Sequence, residues 1–222
     1  MFIPRIFRQQ DQRKCIELIK HYPFASMIVQ TEQGVDVHHL PLVLQSDGEQ
    51  LKLLGHIAKA NPLWKQVEEQ APVLITFQGP NAYISPNWYP SKQRDGKAVP
   101  TWNYIAVHVR GQVTFSHRGD SKRAMLTALT EQLEAGQAQP WQLTDAPEAY
   151  VTKMLSAIVG FEIKVQSIEG KWKISQNQSF ENQQGVVNGL GDVGQQVTSM
   201  LDHRQQAQTM QTLVEQLLTS QE

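Results

Sequence analysis

The sequence predicts a mainly β chain with peripheral helices, an α+β fold, and three observations carry that expectation. Short β-rich runs broken by turn residues follow one another from Phe24 to Ala58. Strict alternation puts Val107, Val109, Gly111, Val113 and Phe115 on one strand face. Strands dominate the first half, and helical stretches cluster later.

Taken in order, residues 11–22 place Ile16, Leu18, Ile19 and Tyr22 at near-helical spacing, and Pro23 stops that helix because it has no N–H to give. FASMIVQT, GVDVHHLPLVLQ and LKLLGHIA then read as consecutive antiparallel strands, separated by the turn residues Gln33-Gly34 and Ser46-Asp47-Gly48. Asn61-Pro62 is expected to open a short helix through PLWKQVEEQ, with Asn61 as N-cap and Pro62 first in the helix. PVLITFQG is a buried strand, and NYIAVHVRGQVTFS is the alternating one. Residues 120–135, with Asp120 available as a cap, and 147–158, opened by Pro147, are helices. Phe161, Ile163 and Val165 return the chain to strand, and Glu169-Gly170 is expected to turn it into WKISQN.

Residues 195–222 hold eight glutamines and no aromatic residue, but Met210, Leu213, Val214, Leu217 and Leu218 follow the spacing of an amphipathic helix. The organisation expected is a main domain over 1–190 and a Gln-rich helical extension over 191–222.

With 40% apolar and 18% charged residues the chain can bury a full core, which excludes disorder. A net charge of −1 offers no general attraction to nucleic acid or anionic lipid. Cys15 is the single cysteine, so no intramolecular disulfide forms. The N-terminus lacks the apolar run of a signal peptide, and no stretch is long enough for a membrane helix, so a cytoplasmic protein without membrane partners is expected.

Chemistry concentrates between residues 79 and 104. Tyr83, Trp88, Tyr89, Trp102 and Tyr104 offer flat surfaces for a planar heterocycle. Ser85, Lys92, Arg94, Lys97, Thr101 and Asn103 supply hydroxyl, amide and cationic groups for an anion. The same composition also describes a loop pinned by aromatics with a solvated tip, and spacing alone does not say which groups converge. A second candidate is GHIAKANP at 55–62, where a strand ending in His56 and Lys59 hands over to a helix N-terminus. His38 and His39 point to opposite strand faces and cannot share a metal; HExxH, GxSxG and the phosphate loop are missing, and no GxGxxG opens a βαβ unit. Metal hydrolase, serine hydrolase, nucleotide triphosphatase and Rossmann readings fall away.

GHIAKANP (55–62), FQGPNAYISPNWYPSK (77–92), VPTWNY (99–104) and WKISQN (172–177), in this order and spacing, resemble the PaiB-like family of FMN-binding negative transcriptional regulators. The resemblance runs from the N-terminus to about Leu190. It implies an FMN-binding split β-barrel, homodimeric, with FMN at the subunit interface. By motif it implies a cofactor site made of His56, Ala58, Asn61, Ser85, Trp88, Tyr89, Lys92, Thr101, Trp102, Asn103, Lys173, Gln176 and Asn177, with no catalytic or metal-binding residue. Gln178 stands where relatives often carry a basic residue. The regulatory function implies DNA as a partner, for which the charge gives no support and no helix-turn-helix spacing is seen. The alternative is an FMN-dependent oxidoreductase using NAD(P)H or a small substrate, since flavin carries its own hydride chemistry. A haem or other planar ligand on His38 or His56 ranks below both.

Overall fold

A computed structural model describes residues 1–48, 50–196 and 204–220. Eight strands are described: β1 (Arg8–Gln9), β2 (Phe24–Thr31), β3 (Gly34–Pro41), β4 (Val43–Asp47), β5 (Gln50–Ala58), β6 (Ala71–Ile84), β7 (Thr101–Ser116) and β8 (Ile158–Lys173). They form one antiparallel sheet in the order β3-β2-β6-β7-β8-β5-β4, and β1 also pairs with β8. The helices are α1 (Gln12–His21), α2 (Leu63–Gln66), α3 (Lys92–Asp95), α4 (Gly119–Glu134), α5 (Glu148–Ser156), α6 (Phe180–Gln196) and α7 (Arg204–Thr219). None of them is long and apolar enough to cross a membrane.

The chain divides into two compact units. The first comprises Met1–Gln10, Gln78–Ala106 and Gly170–Glu222, and the second Asp11–Phe77 and Val107–Glu169.

In the second unit Asp11 opens α1, its carboxylate accepting from the Arg13 N–H at 3.0 Å. Cys15, Leu18 and Ile19 are the residues α1 buries, so the buried stripe includes Cys15 where the sequence pointed to Ile16. β2 pairs with β3 from Phe24↔Pro41 to Thr31↔Gly34, which sends Ala25, Met27 and Val29 inward. GVDVHHLPLVLQ is two strands, because Leu42 lies between β3 and β4 and is itself fully buried. β5 pairs with β8 from Lys52↔Lys164 to Ala58↔Ile158. Ile75, Phe77, Val107, Val109 and Ile163 complete this core, each burial contributing about 1.5–3 kcal/mol. Asp120 does not cap α4. Arg118 occupies the N-cap position, and Asp120 sits inside the first turn, bonded to Ser121 N at 2.8 Å and to the Arg118 guanidinium.

In the first unit α6 and α7 pack together. α7 buries Met210, Val214 and Leu218 of the stripe its spacing predicts, together with Ala207, while Leu213 and Leu217 are only half-buried. α6 is a continuous helix across position 190. Glu169-Gly170 is not a turn, since β8 runs unbroken to Lys173 and Gly170 pairs with Gln9 of β1.

Candidate functional site

Strand alternation decides how the site is built. Successive residues of a strand face opposite sides, so Thr101 and Asn103 of β7 point one way and Trp102 the other. Each side opens on its own cavity within the first unit.

The side of Thr101 and Asn103 is polar. This cavity, of about 320 Å3, is lined by Tyr89, Ser91 and Lys97 of the connecting loop, by Lys173 at the end of β8, and by Ser175, Asn177, Gln178 and Asn182 beyond it, with Phe7, Ala98 and Val99 as its apolar wall. Among the described residues it receives two lysines and no carboxylate. Lys173 donates to the Thr101 hydroxyl and, at 2.7 Å, to the Trp102 carbonyl. Desolvation, and then the neighbouring Lys171, pull the Lys173 pKa down, which marks an ammonium short of counter-charge. Lys171 lies 5.0 Å from the Tyr104 ring centroid and donates to the Phe2 carbonyl at 3.3 Å, so neither contact neutralises the positive field. Burial raises the Tyr89 pKa and keeps its phenol protonated as a donor.

The wall of this cavity is tied down by amides. Ser175 is buried with φ 70°, a left-handed conformation that a residue bearing Cβ adopts only when its surroundings hold it there. Its hydroxyl accepts from the Asn103 side chain at 2.9 Å, and its carbonyl accepts from Gln183 at 3.1 Å. Gln176 spends its amide on its own backbone, accepting from Ile174 N at 2.8 Å and donating to the Trp172 carbonyl at 2.6 Å, so it braces this turn. Asn182 accepts from Ser91 N at 3.2 Å and donates to Gln178 at 3.1 Å, while Arg94 and Glu181 form a two-bond ion pair at 2.9 and 3.1 Å. Together these bonds fasten the loop to α6.

Trp102 faces an apolar cavity of about 220 Å3, lined by Tyr83, Ser85, Trp88, Leu190, Val193 and Ala207, with Asn81 and Ala82. Trp88 sits in a notch cut by two glycines of α6. A Cβ at Gly185 would stand 1.9 Å from the Trp88 carbonyl oxygen, and one at Gly189 would stand 2.2 Å from its ring. Trp88 is thereby locked into the wall of the apolar cavity.

Of the expected cofactor residues, Tyr89, Thr101, Asn103, Lys173 and Asn177 therefore share the polar cavity, and Ser85, Trp88 and Trp102 share the apolar one. Lys92 lines neither; its ammonium bonds the Asn87 side chain. His56, Ala58 and Asn61 belong to the second unit. There Asn61 accepts from Leu63 N at 3.0 Å, which retains its capping bond although Pro62 takes the N-cap position. α2 is a single turn of four residues, too short to hold an anion by its dipole. His56 lies on β5 with its Nδ1 buried and without a hydrogen-bond partner among the described residues, and burial lowers its pKa. Ser91, Lys97, Ser175, Gln178 and Asn182 also line the polar cavity and are not among the cofactor residues the resemblance implies, although Lys97 is among the loop cations the sequence offers for an anion. Ser175 was within reach, since it lies inside the WKISQN motif.

Residues 1–167 match the family model described as "Putative FMN-binding domain". The chain belongs to this family. The cofactor of the PaiB-like FMN-binding family is FMN. A relative in Bacillus subtilis (strain 168), named protease synthase and sporulation protein PAI 2, is 34% identical over 191 residues, covering 86% of this chain and 89% of that protein. An uncharacterized protein of Emericella nidulans is 34% identical over 189 residues, covering 70% of this chain and 75% of its own length. Among solved structures, the FAD and heme binding protein from Mycobacterium smegmatis is similar with a TM-score of 0.55 at 14% identity, over 75% of this chain and 73% of that one. The flavocytochrome Anf3 from Azotobacter vinelandii is similar with a TM-score of 0.55 at 14% identity, over 77% and 72%. The fold of this PaiB-like chain is thus the flavin-binding split barrel.

Proposed function

We propose that this PaiB-like chain holds FMN by its phosphate end in the polar cavity of the first unit. The observation that carries the reading is a cavity with Lys97, Lys173 and several hydroxyls but, among the described residues, no carboxylate. A phosphate dianion supplies the missing counter-charge to Lys173, and Thr101, Ser91 and Tyr89 add neutral donors around it. At about 320 Å3 the cavity sits at the lower end of the range for small-molecule sites, so it suits the phosphate and sugar-alcohol tail and leaves the ring outside. A homodimer with the flavin ring at the subunit interface gives the ring its second wall.

The output we assign is negative transcriptional regulation in the cytoplasm, the flavin setting the state of the dimer surface. The resemblance of GHIAKANP, FQGPNAYISPNWYPSK, VPTWNY and WKISQN to the PaiB-like family of regulators supports this output. With a net charge of −1, direct DNA contact requires a local patch.

The test is to load the purified protein with FMN, record its visible spectrum and elution volume, and perform a gel shift with DNA upstream of its own gene. One FMN per chain, elution as a dimer and a flavin-dependent shift are expected. No retained flavin overturns the cofactor site. Rapid anaerobic bleaching by NAD(P)H, with no shift, replaces the regulator by an oxidoreductase.

A further inference from the structure

We propose that the apolar cavity behind Trp102 is a second binding site, taking a small, planar, uncharged aromatic molecule of one or two rings. The inference rests on the cofactor reading above in one respect: FMN occupies the polar cavity, on the opposite face of β7.

Tyr83, Trp88 and Trp102 wall the cavity from three different segments, and Leu190 and Val193 of α6 with Ala207 of α7 close it. Tyr83 and Trp102 meet edge to face, with centroids 6.0 Å apart at 73°, yet remain 47% and 52% exposed. Two large rings so placed lose apolar surface to water, which a flat ligand recovers by packing on them. The wall cannot close the gap by itself, because the Gly185 and Gly189 notch fixes Trp88. A preformed cavity of this kind favours binding over collapse.

Size and charge set the ligand class. A dry apolar cavity of roughly 150 Å3 accepts benzene. About 220 Å3 therefore suits a single ring or a compact bicycle. Among the described residues no charged one lines it, so a carboxylate or phosphate entering would lose its hydration without a partner there. Ser85 and Asn81 are the polar lining groups. The Ser85 oxygen accepts from Asn87 N at 3.2 Å, which leaves its O–H to donate to a ring nitrogen or carbonyl.

The probe is indole, titrated calorimetrically into FMN-loaded protein, with indole-3-acetate as the charged comparison. The expected result is one saturable indole site per chain, with indole-3-acetate at least about tenfold weaker. Val193→Trp, which fills the cavity from a half-buried helix position, should weaken indole at least about tenfold while leaving FMN affinity within about twofold. Ala207→Leu should act in the same direction, and the melting temperature of each variant shows whether it is folded. No saturable indole binding overturns the inference, including the case in which a second copy covers the cavity. Unchanged indole binding in a folded Val193→Trp also overturns it, as does displacement of indole by FMN. Failure of the cofactor reading is seen separately, as wild-type protein that binds no FMN.

Discussion

Lys173→Met separates the phosphate from the rest of the flavin. The substitution keeps most of the side-chain length and removes the ammonium that bonds Thr101 and the Trp102 carbonyl. A charge-assisted bond from an ammonium to a phosphate oxygen is worth about 1.5–3 kcal/mol. At about 1.4 kcal/mol per factor of ten, FMN affinity should fall by about 10- to 150-fold. Riboflavin lacks the phosphate, so its affinity should stay within about twofold of wild type. Two charge-assisted bonds to neutral oxygens are lost in the free protein, and relief of the ammonium's desolvation and of its repulsion by the neighbouring Lys171 offsets most of that loss. The melting temperature should therefore fall by no more than about 2–4 °C. Quenching of flavin fluorescence, titrated for both ligands against both proteins, reads the two effects directly. Equal weakening of FMN and riboflavin, or unchanged FMN affinity, refutes the assignment of the phosphate to this cavity.

Other consequences can be checked independently. Burial lowers the His56 pKa, so the unfolded chain takes up a proton near its ordinary 6.5 before the folded chain does. His56 therefore favours the folded state fully above about pH 6.5 and less as pH falls below it; urea unfolding from pH 7.5 to 5 should show this loss, and His56→Gln should flatten it. Gly185→Ala forces a methyl to within 1.9 Å of the Trp88 carbonyl. Overpacking of this kind costs about 1–3 kcal/mol, to be seen as a lower melting temperature by calorimetry, and an unchanged value would deny the notch its role. Cys15 is buried, and its thiol pKa is pushed up to about 11. It should stay unreactive to a disulfide reagent at pH 8 until denaturant is added, and immediate labelling of the folded protein would contradict its placement.

Much of the fold was legible because burial imposes period. α1, β2, the alternating face of β7 and the apolar stripe of α7 all follow from residues that must face a core. The differences arise where local chemistry competes with pairing partners distant in sequence. Glu169-Gly170 has turn composition, yet β1 supplies a partner across more than 160 residues. PVLITFQG continues as strand through Gly79 and Pro80 to Ile84, although both residues usually interrupt strands. The site was half legible for the same reason. Motifs named several of the stretches that line the two cavities, but motif membership does not carry direction, and the pleat of β7 sends Trp102 away from Thr101 and Asn103. Asn182 and the glycines of α6 enter only through the tertiary packing of that helix against the aromatic loop.

A crystal structure of the protein grown with FMN tests the central claim most directly. The account predicts the phosphate in the polar cavity, within hydrogen-bond distance of the Lys173 ammonium and the Thr101 hydroxyl, with the ring emerging outside it. Flavin density in the cavity behind Trp102, or a phosphate bound away from Lys173, would contradict it.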